Sequence, residues 1–280
     1  MKIDNNKARM NKGEGGFTLV EMSIVLVIIG LIVGGVLVGQ DLVKGAQVRA
    51  TVSQIQQYDA ALNTFRGKYD QFPGDMTTAK TTAFGLSDPV AITGADAGLL
   101  GNGRLDDTAA VTVGNDGVDA ELSAFWIHLS EANMVGGSYI DGAAAPAAGI
   151  NYPATKLKKG GIIAVSSGSI NYWLIGAGSG TTSGDIDMAV NTGLSAEDAF
   201  GIDSKLDDGM ANTGIAFHLL DFTGALGATG ANLIGTTAAV AAPAAGATCW
   251  SLTPATATTA VDYQIASETN NCHIITRIQG

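Results

Sequence analysis

Gly15-Gly16-Phe17-Thr18-Leu19-Val20-Glu21-Met22-Ser23, with the apolar run that continues to Gly39, decides how this chain is read. A short basic leader meets two small residues, then an aromatic one, then some 23 residues dominated by hydrocarbon. About 20 apolar residues suffice to cross a bilayer, so the run is long enough to span one. Glu21 is the exception inside it. A carboxylate within a membrane span is costly, and by default it marks a function with a partner still to be named. The order of parts also excludes an ordinary secretory signal, whose small-residue cleavage site follows its apolar region. Here Gly15 and Gly16 precede the run, and no Ala-x-Ala closes it.

Charge agrees with export. The chain of 280 residues carries a net −11. In residues 1–16, Lys2, Lys7, Arg9 and Lys12 stand against Asp4 and Glu14, which leaves +2 there and −13 on the remainder. A basic leader before an apolar span keeps the N-terminus cytoplasmic and sends the rest across. The acidic remainder argues against nucleic-acid binding, which needs clustered Lys and Arg. The 38 glycines, the many Ala and Thr and the low charge point to a loop-rich exported domain containing β-structure.

The residues GFTLVEMSIVLVIIG closely resemble the N-terminal processing signal of type IV pilins and type II secretion pseudopilins. The resemblance implies cleavage by a prepilin peptidase between Gly16 and Phe17, N-methylation of Phe17, and pairing of Glu21 with the amine of a neighbouring subunit. It implies an α+β, pilin-like fold, in which a long N-terminal helix, membrane-spanning in its first half, packs on a C-terminal antiparallel sheet. The expected partners are copies of the chain and related pilins, the peptidase, an inner-membrane assembly platform and, before assembly, lipid. No nucleic acid is expected. The expected location is the inner membrane, single-pass, and then the periplasm or a surface filament. The likeness is close for residues 15–45, weaker to about residue 75 and architectural beyond.

The organisation follows in order: a leader at 1–16, a membrane or filament-core helix at 17–43, its amphipathic continuation at 44–72, and an exported domain at 73–280. Val48, Val52, Ile55, Leu62, Phe65 and Tyr69 recur at helical spacing. A helix from Phe17 to about Tyr69 would be roughly 80 Å long. Many family members have a Pro near mature position 22; this chain has Val38, surrounded by Gly34, Gly35 and Gly39. Those glycines predict either a deformable segment or close helix packing. Phe72-Pro73-Gly74-Asp75 predicts the helix exit, and 73–118 reads as a loop region. A second helix is predicted at 119–134, with a stop at Gly136-Gly137. Residues 139–159 read as a surface connection. A hairpin is predicted from 161–165 and 170–175, residues 214–221 suit strand or short helix, and 272–278 reads as a final strand.

Two features carry candidate chemistry. Asp203, Asp207 and Asp208 lie within six residues before Gly209, as either a Ca²⁺-ligating turn or a solvated acidic one. Major pseudopilins bind calcium near the C-terminus, although the spacing here does not match residue for residue. A second stretch, with Asn102, Asp106, Asp107, Asp116 and Asp119, offers a weaker version of the same reading. Cys249 and Cys272 form an even pair in an exported chain, read as a disulfide bounding a C-terminal loop at 249–272. Type IV pilins carry such a loop and many pseudopilins do not. His128, His218 and His273 have no ligand partners at metal spacing. Gly176-Ala-Gly-Ser-Gly180 is not followed by an apolar helix, and no Gly-x-Ser-x-Gly, His-Glu-x-x-His or Walker pattern occurs. No enzymatic role is expected. A filament subunit leads, a secretion pseudopilin is second, and a membrane-anchored binding domain is third.

Overall fold

The computed structural model describes residues 16–89, 100–105, 120–140, 147–167, 170–177, 193–211, 213–218, 249, 263, 265 and 272–279. Its elements are α1 (Leu19–Tyr69), α2 (Thr78–Phe84), α3 (Ala120–Glu131), β1 (Gly161–Ser167), β2 (Ile170–Ala177), α4 (Ala196–Leu206), β3 (Ala216–His218) and β4 (Ile274–Arg277). The arrangement is α+β, with a long apolar N-terminal helix and an antiparallel sheet of four strands in the order β1-β2-β4-β3. The chain divides into two compact units, Met1–Lys44 and Gly45–Gly280.

In the first unit, the described residues from Gly16 through Val38 are all exposed. The helix runs unbroken across Gly34, Gly35 and Gly39, so the loosening expected there is not seen in the single chain. A methyl group added at any of these glycines would meet nothing within 4 Å. Among the described residues, no packing inside the chain therefore requires them.

The second unit holds the core. From Val48 onward α1 is amphipathic, burying Val48, Val52, Ile55, Tyr58, Leu62, Phe65 and Tyr69 on one face. Every position predicted from helical spacing is buried. Tyr58 joins them, and so do the polar Thr51 and Gln54. Thr51 returns its hydroxyl to Gln47 O at 3.0 Å, and Gln54 Nε2 donates to Tyr58 Oη (2.7 Å) and Ala154 O (3.0 Å). Burial of these groups is tolerated because their donors are satisfied. Facing them is an aromatic cluster. Tyr58 meets Trp126 edge-on at 4.8 Å and Trp173 at 6.0 Å, and Phe125 meets Trp173 at 5.6 Å.

Several boundaries differ from the sequence reading. Helix α1 does end at Tyr69, about where its spacing placed the end and ahead of the Phe-Pro exit; Asp70 takes a left-handed conformation (φ 54°) while its N–H closes on Arg66 O at 2.8 Å. The turn that follows still needs its glycine. Gly74 has φ 86°, and a Cβ there would stand 2.2 Å from Glu121 O. Residues 73–118 are not all loop, since Thr78–Phe84 forms α2 between an extended Thr77 and a left-handed Gly85. Helix α3 stops at Glu131 by way of Asn133 (φ 56°), with Met134 N bonded to Leu129 O at 2.9 Å, and not at Gly136-Gly137. The 139–159 connection is not purely superficial, because Tyr152 is fully buried within it. The hairpin and the final strand are present as predicted. Residues 216–218 resolve the strand-or-helix ambiguity by pairing with β4.

His128 locks the exit turn to α3. Gly74 N donates to His128 Nδ1 at 2.9 Å, so the ring proton is on Nε2, which faces Ser87 O at 2.7 Å. Burial holds its pKa below the usual value, although Ser87 O, Glu131 and Asp88 each push it the other way. A depressed folded pKa contributes nothing above the unfolded value and becomes a penalty below it. Stability should therefore fall as pH drops through about 6.5. His128→Gln, expected to be less stable at pH 7 by about 1–3 kcal/mol, should show a shallower decline between neutral and mildly acidic pH in thermal melts; parallel profiles would refute the assignment.

Cys249 and Cys272 are joined, Cα to Cα 5.4 Å, and both are buried. Reduction should lower stability by about 2–4 kcal/mol in denaturant titrations.

Candidate functional site

The first candidate site is the start of α1. Thr18 precedes the first helical residue and Glu21 lies in the first turn, the Thr-x-x-Glu spacing of a capping box. The structure closes that box in both directions. Thr18 N and Thr18 Oγ1 donate to Glu21 Oε2 at 2.7 and 2.8 Å, and Glu21 N returns a bond to Thr18 Oγ1 at 3.3 Å. A carboxylate at a helix N-terminus also meets the positive end of the helix dipole. Glu21 is thus held in place by its own turn, with Oε1 making no bond among the described residues. Thr18 is the member that attention to Glu21 alone overlooks, although its spacing was visible in the sequence.

Gly16 and Phe17 lie just outside the helix. Both are exposed, Phe17 at 81%, and nothing stands within 4 Å of a Cβ built on Gly16. Residues 1–15 of the expected leader lie outside the described residues. Beyond Glu21, Leu26, Leu31, Ile32, Leu37 and Leu42 are each more than half exposed. The helix is long and apolar enough to cross a membrane. An apolar surface of this extent is not left to water in a stable monomer.

The second candidate site is the acidic group, and here the sequence reading is corrected. Asp203 is not on a turn. It belongs to the last turn of α4, whose start is capped by Ser195 through a bond from Asp198 N. Only Asp207, as the helix cap, and Asp208 lie beyond the helix, before Gly209 at φ 77°. Asp203 is fully buried. Tyr263 Oη donates to its Oδ2 at 2.8 Å, while Oδ1 is buried with no hydrogen-bond partner. Asp207 Oδ2 accepts from the backbone N–H groups of Ile215 and Ala216. Asp208 accepts from Met210 N at 2.8 Å and Thr213 Oγ1 at 2.6 Å. One oxygen from each carboxylate lies within 4.8 Å of the other two.

That crowding is visible in the acid–base balance. Burial pushes the Asp203 carboxyl up to about 6; the Tyr263 hydroxyl and Gly209 N–H lower it, and Asp208 and Asp207 raise it. Burial, with Asp203 and Asp208 adding to it, drives the Tyr263 phenol far above its ordinary value, so it stays a donor. Three hard oxygens, one from each carboxylate, form a donor set of the kind a divalent cation takes. The end of α4 adds a second attraction, since helix C-termini favour positive charge. Tyr263 lies 60 residues away in sequence, and no local pattern announces it.

Most of the weaker acidic stretch is not among the described residues. Asn102 is exposed and caps its own turn through Arg104 N, while Asp106, Asp107, Asp116 and Asp119 lie outside the described residues. Of the Gly176–Gly180 stretch, 178–180 lie outside them as well. His128 is the structural lock described above.

No curated protein and no solved structure matches the chain. Residues 11–37 match the family model described as the prokaryotic N-terminal methylation motif, the signal of type IV pilin and pseudopilin precursors.

Proposed function

We propose that the chain is the precursor of a filament subunit, assembled into a type IV pilus or a pilus-like fibre. The observation that carries the reading is an exposed apolar helix whose first turn holds a pre-oriented carboxylate inside a methylation motif. Processing by a prepilin peptidase removes 1–16 and leaves Phe17 with a free amine, which is then methylated. Glu21 Oε1 is available to that amine on a neighbouring subunit. In a core without water an unpaired carboxylate or ammonium is costly, so each charge needs the other. The glycines at 34, 35 and 39, unused within the chain, allow neighbouring helices to approach closely. Before assembly the chain is single-pass in the inner membrane with its N-terminus cytoplasmic, and an assembly platform extracts it. The C-terminal disulfide favours a pilus over a secretion pseudopilus. Sheared surface fibres containing this chain distinguish the two, and a monomer that never enters a fibre would return the reading to an anchored binding domain.

The acidic group supports a second, compatible reading: Asp203, Asp207 and Asp208 hold Ca²⁺. The raised Asp203 pKa sets its pH signature. Without a cation, the stability associated with a raised carboxyl is fully present below the unfolded value and lost as pH rises through about 6. Bound Ca²⁺ compensates the ionised form, so its stabilisation should grow above pH 6.

Glu21→Ala should leave cleavage largely intact yet keep the subunit out of fibres, as read by immunoblots of sheared and membrane fractions. Normal fibres from that variant would remove the pairing. Gly16 replaced by a bulky residue should retain the leader, visible as a heavier band, and native mass spectrometry should find N-methyl-Phe17 at the mature start.

Calcium titration of the purified chain above pH 6 should release heat and raise its melting temperature, with both effects absent in Asp203→Asn. A flat titration with an unchanged melting temperature would retire the calcium reading without touching the fibre.

A further inference from the structure

A second site lies where the end of α1, the turn after it, residues 101–103 and the edges of β2 and β4 enclose a cleft of about 740 Å³. That volume falls in the range of small-ligand sites. Two arginines line it, Arg66 from the last turn of α1 and Arg277 from the end of β4. Both are exposed, and among the described residues neither guanidinium has a carboxylate in ion-pair range. They stand out in a chain of net charge −11, where free cations are scarce.

Most acceptors around them are already engaged; the exception is Asp70, whose exposed carboxylate gives one oxygen to Lys80. Asp75 is buried and takes the backbone N–H groups of Gly101, Asn102 and Gly103. Asn171 Oδ1 accepts from Leu105 N, and Gln71 Oε1 from Thr77 N. Lys80 is engaged too, held by Asp70 Oδ2 at 3.4 Å and by the carbonyls of Tyr69 and Asp70. What the wall offers a visitor is chiefly the donors of two guanidinia. The Arg66 guanidinium lies 6.0 Å from the Phe72 ring centre, an arrangement that leaves its N–H edge available.

We propose that this cleft binds an oxyanion carried on a hydroxyl-rich ligand, a short acidic saccharide bearing carboxylate or phosphate groups. Guanidinium forks match both oxyanions, and the polar wall suits a hydrated ligand over an apolar one. The site is independent of the fibre reading, because every residue named lies in the 45–280 unit and binding is read on the unassembled chain.

The full-length chain in detergent micelles is titrated calorimetrically with trigalacturonate, with inorganic phosphate and with neutral maltotriose. Trigalacturonate should bind saturably, weaken as salt rises from about 50 to about 300 mM, and weaken about tenfold in Arg66→Gln and in Arg277→Gln. Arg277→Lys, keeping the charge without the fork, should weaken it less. Both side chains are exposed, so melting temperatures should not change. Phosphate binding with the same dependence on the two arginines would identify phosphate as the oxyanion source, and trigalacturonate binding alone would identify a sugar carboxylate. Absence of saturable binding by either anion, equal binding of maltotriose, or affinities unchanged in both variants would overturn the proposal.

Discussion

The hydrogen bond from Trp173 Nε1 to Asp59 Oδ1, 2.8 Å long, ties the first helix to the middle of the sheet. Around it the rings of Tyr58, Trp126 and Trp173 pack within 6 Å of one another. Aromatic pairs at these separations add specific geometry to the area they bury. The indole dipole also gives Asp59 a partner, although burial still pushes that carboxyl upward. Together with the buried stripe, this contact fixes the register of the amphipathic half of α1 against β2.

The helix meets two environments along one continuous backbone. Its later half is built for a protein core, with a buried stripe and an outer polar face. The earlier half has no such division, since apolar side chains are exposed on every side. A helix that is hydrophobic all round is suited to lipid or to a bundle of other helices.

The second unit also shows how carboxylates are managed in an acidic chain. Asp75 is satisfied by three backbone N–H groups, and Asp198 Oδ2 takes Lys159 at 2.8 Å and Ser195 at 2.6 Å. Asp203 differs in its neighbours, because Asp207 and Asp208, two further carboxylates, stand beside it. A buried carboxyl crowded by two others is costly to ionise, which is why its pKa is raised.

Much of this was legible in the residues themselves. The Gly-Phe-Thr-Leu-Val-Glu order, the apolar run and the helical spacing of Val48 through Tyr69 are local patterns, so the long helix and its motif followed from sequence alone. Short-range periodicity likewise announced the β1–β2 hairpin. What needed the tertiary structure was anything set by contacts distant in the chain. The end of α1 near Tyr69 was expected, but its closing device, the left-handed Asp70 ahead of Pro73, was not. Asp203 lies on a helix and not a turn, since Ser195 caps a segment whose Ala and Ile positions are buried. Its pairing with Tyr263, like the meeting of Arg66 with Arg277 in one cleft, joins residues 60 or more positions apart. Such encounters depend on packing of the whole domain, which no local pattern encodes.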